Sequence, residues 1–163
     1  MSKQLAILLT ALAAAPAGAA LPRHPDLDLE AANRLAARAI ASCRAEGRAI
    51  VAAVVDRGGN LVALQRDDGV GPHNTEASRR KAYTALSTRK PTLLLARDAQ
   101  AVPDTRNLAT LPELLLLGGG IPLLVEKQVV GAIGVAGEGG PLNDHACAQR
   151  AIGAVPGLDQ PTP

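Results

Sequence analysis

The chain has 163 residues, 47% of them hydrophobic, and its 16 glycines and 12 prolines stay below the proportion that marks disorder. Its 17 Lys and Arg nearly balance 15 Asp and Glu, and Tyr83 is the only aromatic residue. That excludes a base-stacking nucleic-acid platform, and it asks for a core of Ala, Leu, Val and Ile packed closely between sheet and helices.

Residues 1–19 read as a signal peptide. Lys3 gives a short positive start, and Leu5 to Ala15 is an apolar run too short to span a bilayer. Pro16 breaks the run, and Ala17 and Ala19 are small residues before a cleavage point. The alternative is a hydrophobic first helix packed in the core. The expected product is exported, periplasmic or extracellular, and not membrane-spanning. A leader at 20–27, one domain at 28–155 and a flexible tail at 156–163 follow. In an oxidising compartment Cys43 and Cys147 would form a disulfide; otherwise they are two buried free thiols.

Asp28 caps a predicted helix that has Glu30 in its first turn, a buried face of Ala32, Leu35, Ala36, Ala39 and Cys43, and a stop at Gly47. Ala49 to Val55 is continuously apolar, as in a strand buried on both faces. Asp56 to Asn60 turns the chain into a second strand at Leu61 to Arg66. Asp67 to Asn74 is a loop, Thr75 to Thr88 a helix, and Thr92 to Ala101 a shorter helix after Pro91. Leu114 to Leu117, Ile121 to Val125 and Val129 to Ala136 read as three strands, the last two a hairpin turned at Glu126–Gln128. Asn143 or Asp144 caps a final helix to Val155. Hairpins at both ends predict an α/β (α+β) fold, a mostly antiparallel sheet of five strands with helices on both faces.

Few patterns carry chemistry. The loop Gly137-Glu138-Gly139-Gly140-Pro141-Leu142 lacks the last glycine of a dinucleotide fingerprint, and no strand follows to supply an acidic ribose contact. Amides at 143–145 could hold an anion at the helix start, or the glycines simply make a tight turn. No nucleophile elbow and no paired metal-ligand spacing occur, so no metal site is expected. His145 and Cys147 stand about 200° apart on a helix and cannot face one metal. Lys81 shares a face with Thr84, Ala77 and Ala85, and an ammonium among small residues could reach a ligand carboxylate. Arg79 and Arg80 read as a solvated basic face.

Several segments together resemble one family: Ile50–Asp56 with Gly58-Gly59-Asn60-Leu61-Val62, Ala77–Ala85, Gly118-Gly119-Gly120-Ile121-Pro122, Val129–Val135, and Asn143-Asp144-His145. They are similar to the GlcG/HbpS haem-binding (haem-degrading) domain family, which includes PduO C-terminal-type domains. The resemblance runs from about Leu27 to Val155. It implies a profilin-like αβα sandwich with a five-stranded sheet, homo-oligomers, and tetrapyrrole binding or degradation. It points to Lys81, Thr84, Asp144 and His145 as ligand-binding positions. A haem needs an axial ligand, for which His73, Tyr83, His145 or a free Cys147 are the candidates, and cations for its propionates, which Lys81, Arg79 and Arg80 could supply. The other readings are a small-molecule enzyme using Lys81 and His145 as acid/base or carboxylate-binding groups, and a non-catalytic oligomeric accessory protein.

Overall fold

The computed structural model describes residues 21–161 apart from Glu138, and the expected signal peptide lies outside the described residues. Helix α1 (Leu29–Arg44) starts at Asp28, whose carboxylate accepts the Ala31 amide, and it buries Ala32, Leu35, Ala36, Ala39, Ile40 and Cys43. Strands β1 (Ile50–Asp56) and β2 (Leu61–Arg66) pair as an antiparallel hairpin. Helices α2 (His73–Thr88), α3 (Thr92–Ala101) and α4 (Pro103–Arg106) follow, then β3 (Gly120–Val125), β4 (Gln128–Gly137) and α5 (Gly140–Gly153).

Among the described residues the sheet has four strands, in the order β2-β1-β4-β3, all antiparallel. The expected fifth strand at Leu114 to Leu117 is absent because other partners satisfy its backbone. The Leu115 amide donates to Thr84 Oγ1 at 2.8 Å, the Leu114 carbonyl accepts from Arg80, and the Leu117 carbonyl accepts from Thr92. A segment whose polar groups are taken up by side chains has none left for a ladder.

Alternation along β1 sends Ile50, Ala52 and Val54 to the main core with α1 and α5, while Val55 joins Ala82 and Ala85 of α2 on the other face. Three layers result, with β1 and β4 buried between helices. Helix α2 lies almost on the sheet backbone. A Cβ at Gly134 would strike the Ser78 carbonyl, and one at Gly120 the Lys81 carbonyl. Small residues at this interface allow the approach that a core without bulky aromatics requires.

Several boundaries differ from the sequence expectation, among them the start of α2, at His73 rather than Thr75, and the end of α5, at Gly153 rather than Val155. Helix α5 starts at Gly140, with Pro141 in its first turn, where a missing N–H leaves no bond unmade. Asn143 and Asp144 therefore stand inside the helix rather than capping it. The expected tail is held at two points: Leu158 packs on the core, and Asp159 exchanges both backbone hydrogen bonds with Leu124.

Arg44 makes a two-pronged bond to Asp67 at 2.8 and 2.5 Å. That hydrogen bond holds the Asp67 carboxyl below the usual carboxylate range, against the opposing effect of burial. A depressed folded-state pKa contributes stability at pH above the ordinary carboxylate value, and the contribution is lost as pH falls through the depressed one. Asp67→Asn is accordingly expected to flatten the acid limb of a melting-temperature profile. An unchanged limb would assign that slope to other carboxylates.

Candidate functional site

Lys81 and Asp144 are the centre of the molecule's polar interior. Lys81 sits in the middle of α2 and Asp144 in the first turns of α5, on opposite faces of the sheet. Lys81 Nζ donates to Asp144 Oδ2 at 2.8 Å and to the Val135 carbonyl at 2.9 Å. Only 1% of Lys81 and 3% of Asp144 is exposed. The bridge crosses beside Gly119, whose φ of 123° suits glycine alone. A Cβ there would lie 3.1 Å from the ammonium and 3.0 Å from the Asp144 Cβ, and would collide with the Val135 carbonyl. Gly119 is thus the gap through which the two helical layers join.

The inward aim of Lys81 agrees with the sequence reading, but the acid it meets is the chain's own Asp144 rather than a guest. Burial pushes the Lys81 ammonium down and the Asp144 carboxyl up, and the attraction between them opposes both shifts. Asp144 Oδ1 is buried with no close hydrogen-bond partner among the described residues, the Gly137 backbone exerting the smallest of the downward pulls on the carboxyl. Asp144 also sits near the start of α5, where the helix dipole favours an anion. In this pair the Lys81 ammonium is closed off from solvent and already engaged with Asp144 and the Val135 carbonyl.

The remaining predicted residues separate. Thr84 is buried and structural, donating to the Arg80 carbonyl at 2.7 Å while accepting from Leu115. Arg79 is bound to Glu76 and Arg80 to the Leu114 carbonyl, so the expected solvated basic face is largely engaged. His73 is exposed at the first residue of α2, beside Gly71. Cys43 and Cys147 are joined in a disulfide, which removes Cys147 as an iron ligand. Tyr83 is half-buried, its ring against Gly59, and lines a cleft of about 350 Å³ with Arg57, Leu86, Arg89 and Val129. A larger cleft of about 530 Å³ lies away from all of these, between α1 and β2.

His145 stands apart from Lys81. It is half-buried, and its Nδ1 is buried with no partner among the described residues. Burial first, and the nearby Arg97 charge second, lower its pKa from the ordinary value. The imidazole is therefore neutral at pH 7, the form that binds metals. Leu142, 59% exposed, is three residues before it on one helix face. Pro141 packs on Gly118, next to Leu117, which is 40% exposed. Apolar surface, a neutral imidazole and a cation thus meet at the start of α5. Sequence reasoning found His145 but not Arg97 or the leucines, because nothing local links residue 97 to residue 145. No group of three or more metal-binding side chains occurs among the described residues, and no described helix is long and apolar enough to cross a membrane.

A four-stranded antiparallel sheet between helical layers, tied by an internal Lys–Asp pair, defines a small α+β sandwich. The chain belongs to the family described as haem-degrading protein HbpS-like, which it matches over residues 27–153. It is 30% identical over 128 residues to a 15.0 kDa protein of Citrobacter freundii from the dhaT–dhaS intergenic region, covering 77% of this chain and 89% of that one. A crystal structure of a double mutant of Streptomyces reticuli HbpS is similar at a TM-score of 0.78 and 35% identity, over 90% of this chain and 98% of that chain. A PduOC–haem complex shares the fold at a TM-score of 0.76 and 21% identity, over 85% of this chain and all of the other.

Proposed function

We propose that this protein binds haem, with His145 as the axial ligand. The observation that carries the reading is the neutral imidazole of His145, unpartnered among the described residues and set beside exposed leucines. Membership of a haem-degrading family gives it context. The donor set fits: the cysteines are paired, the only methionine is Met1, His73 is exposed, and His145 is a half-buried imidazole with Leu142 on its face of α5. Bound haem would supply an iron centre. Leu117 and Leu142 would flank the ring, and Arg97 would face a propionate. These leucines leave the site open on one side, and we propose that a second copy of the chain closes it, since exposed apolar patches mark such contacts.

Export belongs to the same proposal. Its support is the Cys43–Cys147 disulfide, a bond that persists in oxidising compartments.

Titrating haemin into the protein lacking residues 1–19 is expected to raise a Soret band, and His145→Ala to weaken binding at least about tenfold, roughly 1.4 kcal/mol. A band that survives in His145→Ala and disappears in His73→Ala or Tyr83→Phe would move the ligand to that residue. No band at all would end the reading. With ascorbate in air, a stable spectrum fits scavenging or sensing, and bleaching fits degradation.

A further inference from the structure

At the other end of β4, away from the turn that starts α5, three cations face one another without carboxylate partners. Arg57 comes from the β1–β2 turn, Arg89 from the end of α2 and Lys127 from the β3–β4 turn. Two adjoining clefts, of about 350 and 390 Å³, share Arg57, Arg89 and Val129. Tyr83 and Leu86 line the first, and His24 and Lys127 the second. None of the three cationic side chains makes an ion pair or a hydrogen bond with a described residue. The nearby acids are turned elsewhere. Asp56 accepts the amides of Gly58 and Asn60, and Asp26 accepts those of Leu27 and Arg57. Glu126 is exposed beside Lys127 and forms no ion pair among the described residues.

Backbone conformation bears on how these cations can be replaced. Arg89 ends α2 in the left-handed region at φ 52°, a position that favours glycine. Glu126 and Lys127 form a two-residue hairpin turn at φ 48° and 65°, where Asn-Gly is the favoured sequence. Twice, a cation stands where the local conformation prefers glycine.

We propose that this groove binds a small dianion, a phosphate group or a dicarboxylate, held by the two guanidiniums with Lys127 alongside and Tyr83 as an apolar wall. Guanidinium forks match such oxyanions two bonds at a time, and three unneutralised cations raise the local anion concentration. The site is separate from the start of α5 and does not depend on haem.

The test uses Arg89→Gly and Lys127→Gly, which relieve the backbone while removing charge. Calorimetric titration with inorganic phosphate and with succinate identifies which oxyanion is preferred. At least one is expected to bind the parent and to bind the double variant at least tenfold more weakly, while the variant melts no lower than the parent. Binding should also weaken as salt is raised. Absence of binding by either anion at millimolar concentration overturns the proposal, as does equal binding by the variant. Haemin titration of the same variant is expected to leave the Soret band intact. Loss of the band together with anion binding would make the groove a propionate seat and overturn its independence.

Discussion

Lys81→Met is expected to destabilise the fold by about 3–5 kcal/mol, the range for removing one partner of a buried ion pair. The residue left behind is Asp144, 3% exposed, with Oδ1 already lacking a close hydrogen-bond partner among the described residues. Without the ammonium, neither carboxylate oxygen would have a neighbour of opposite charge. The double variant Lys81→Met/Asp144→Leu should recover much of the loss, because it exchanges two desolvated charges for apolar contacts. The pH dependence has a definite sign. Burial raises the Asp144 carboxyl, and deleting Lys81 raises it further. A folded-state pKa above the unfolded one contributes stability at low pH that is lost as pH rises through it. The Lys81→Met penalty should therefore shrink as pH is lowered from 7 towards 4. Urea unfolding of the parent, single and double variants measures all three expectations. A single variant within about 1 kcal/mol of the parent at pH 7 would mean that water reaches the pair.

Removing the Cys43–Cys147 disulfide is expected to cost about 4–5 kcal/mol in the chain-entropy model. The bond closes a separation of 104 residues and joins α1 to α5, with both cysteines fully buried in the main core. A Cys43→Ala/Cys147→Ala variant keeps small apolar groups at both positions, so the loss should come mainly from the freed unfolded chain. The check compares its urea midpoint and slope with those of the oxidised parent. A shift below about 1 kcal/mol would show the cross-link to be incidental, with α1 and α5 held by packing alone.

Much of the fold was legible because burial imprints a period on sequence. The α1 face, the unbroken apolar run of β1, the two hairpins and the limits of α3 all follow from local pattern and turn chemistry. Leu114 to Leu117 misled for the same reason: four apolar residues suggest a strand, but Thr84, Arg80 and Thr92, distant in the chain, claim its backbone groups. The run Gly118-Gly119-Gly120 was visible, yet its purpose was not. Only the packed layers reveal that a side chain at Gly119 would block the bridge between Lys81 and Asp144. His145 was a candidate from the outset, while nothing in the local pattern singled out Arg97, Arg57, Arg89 or Lys127.

By itself, then, the sequence determined most of the helices and strands, which faces are buried and which family the chain resembles, since each depends largely on neighbours a few residues apart. Tertiary structure decided the strand count, the partner of Lys81 and the grouping of cations at one end of the sheet. Those depend on which groups meet across 25 residues or more, and hydrophobic periodicity records that a side chain is buried without recording what it touches.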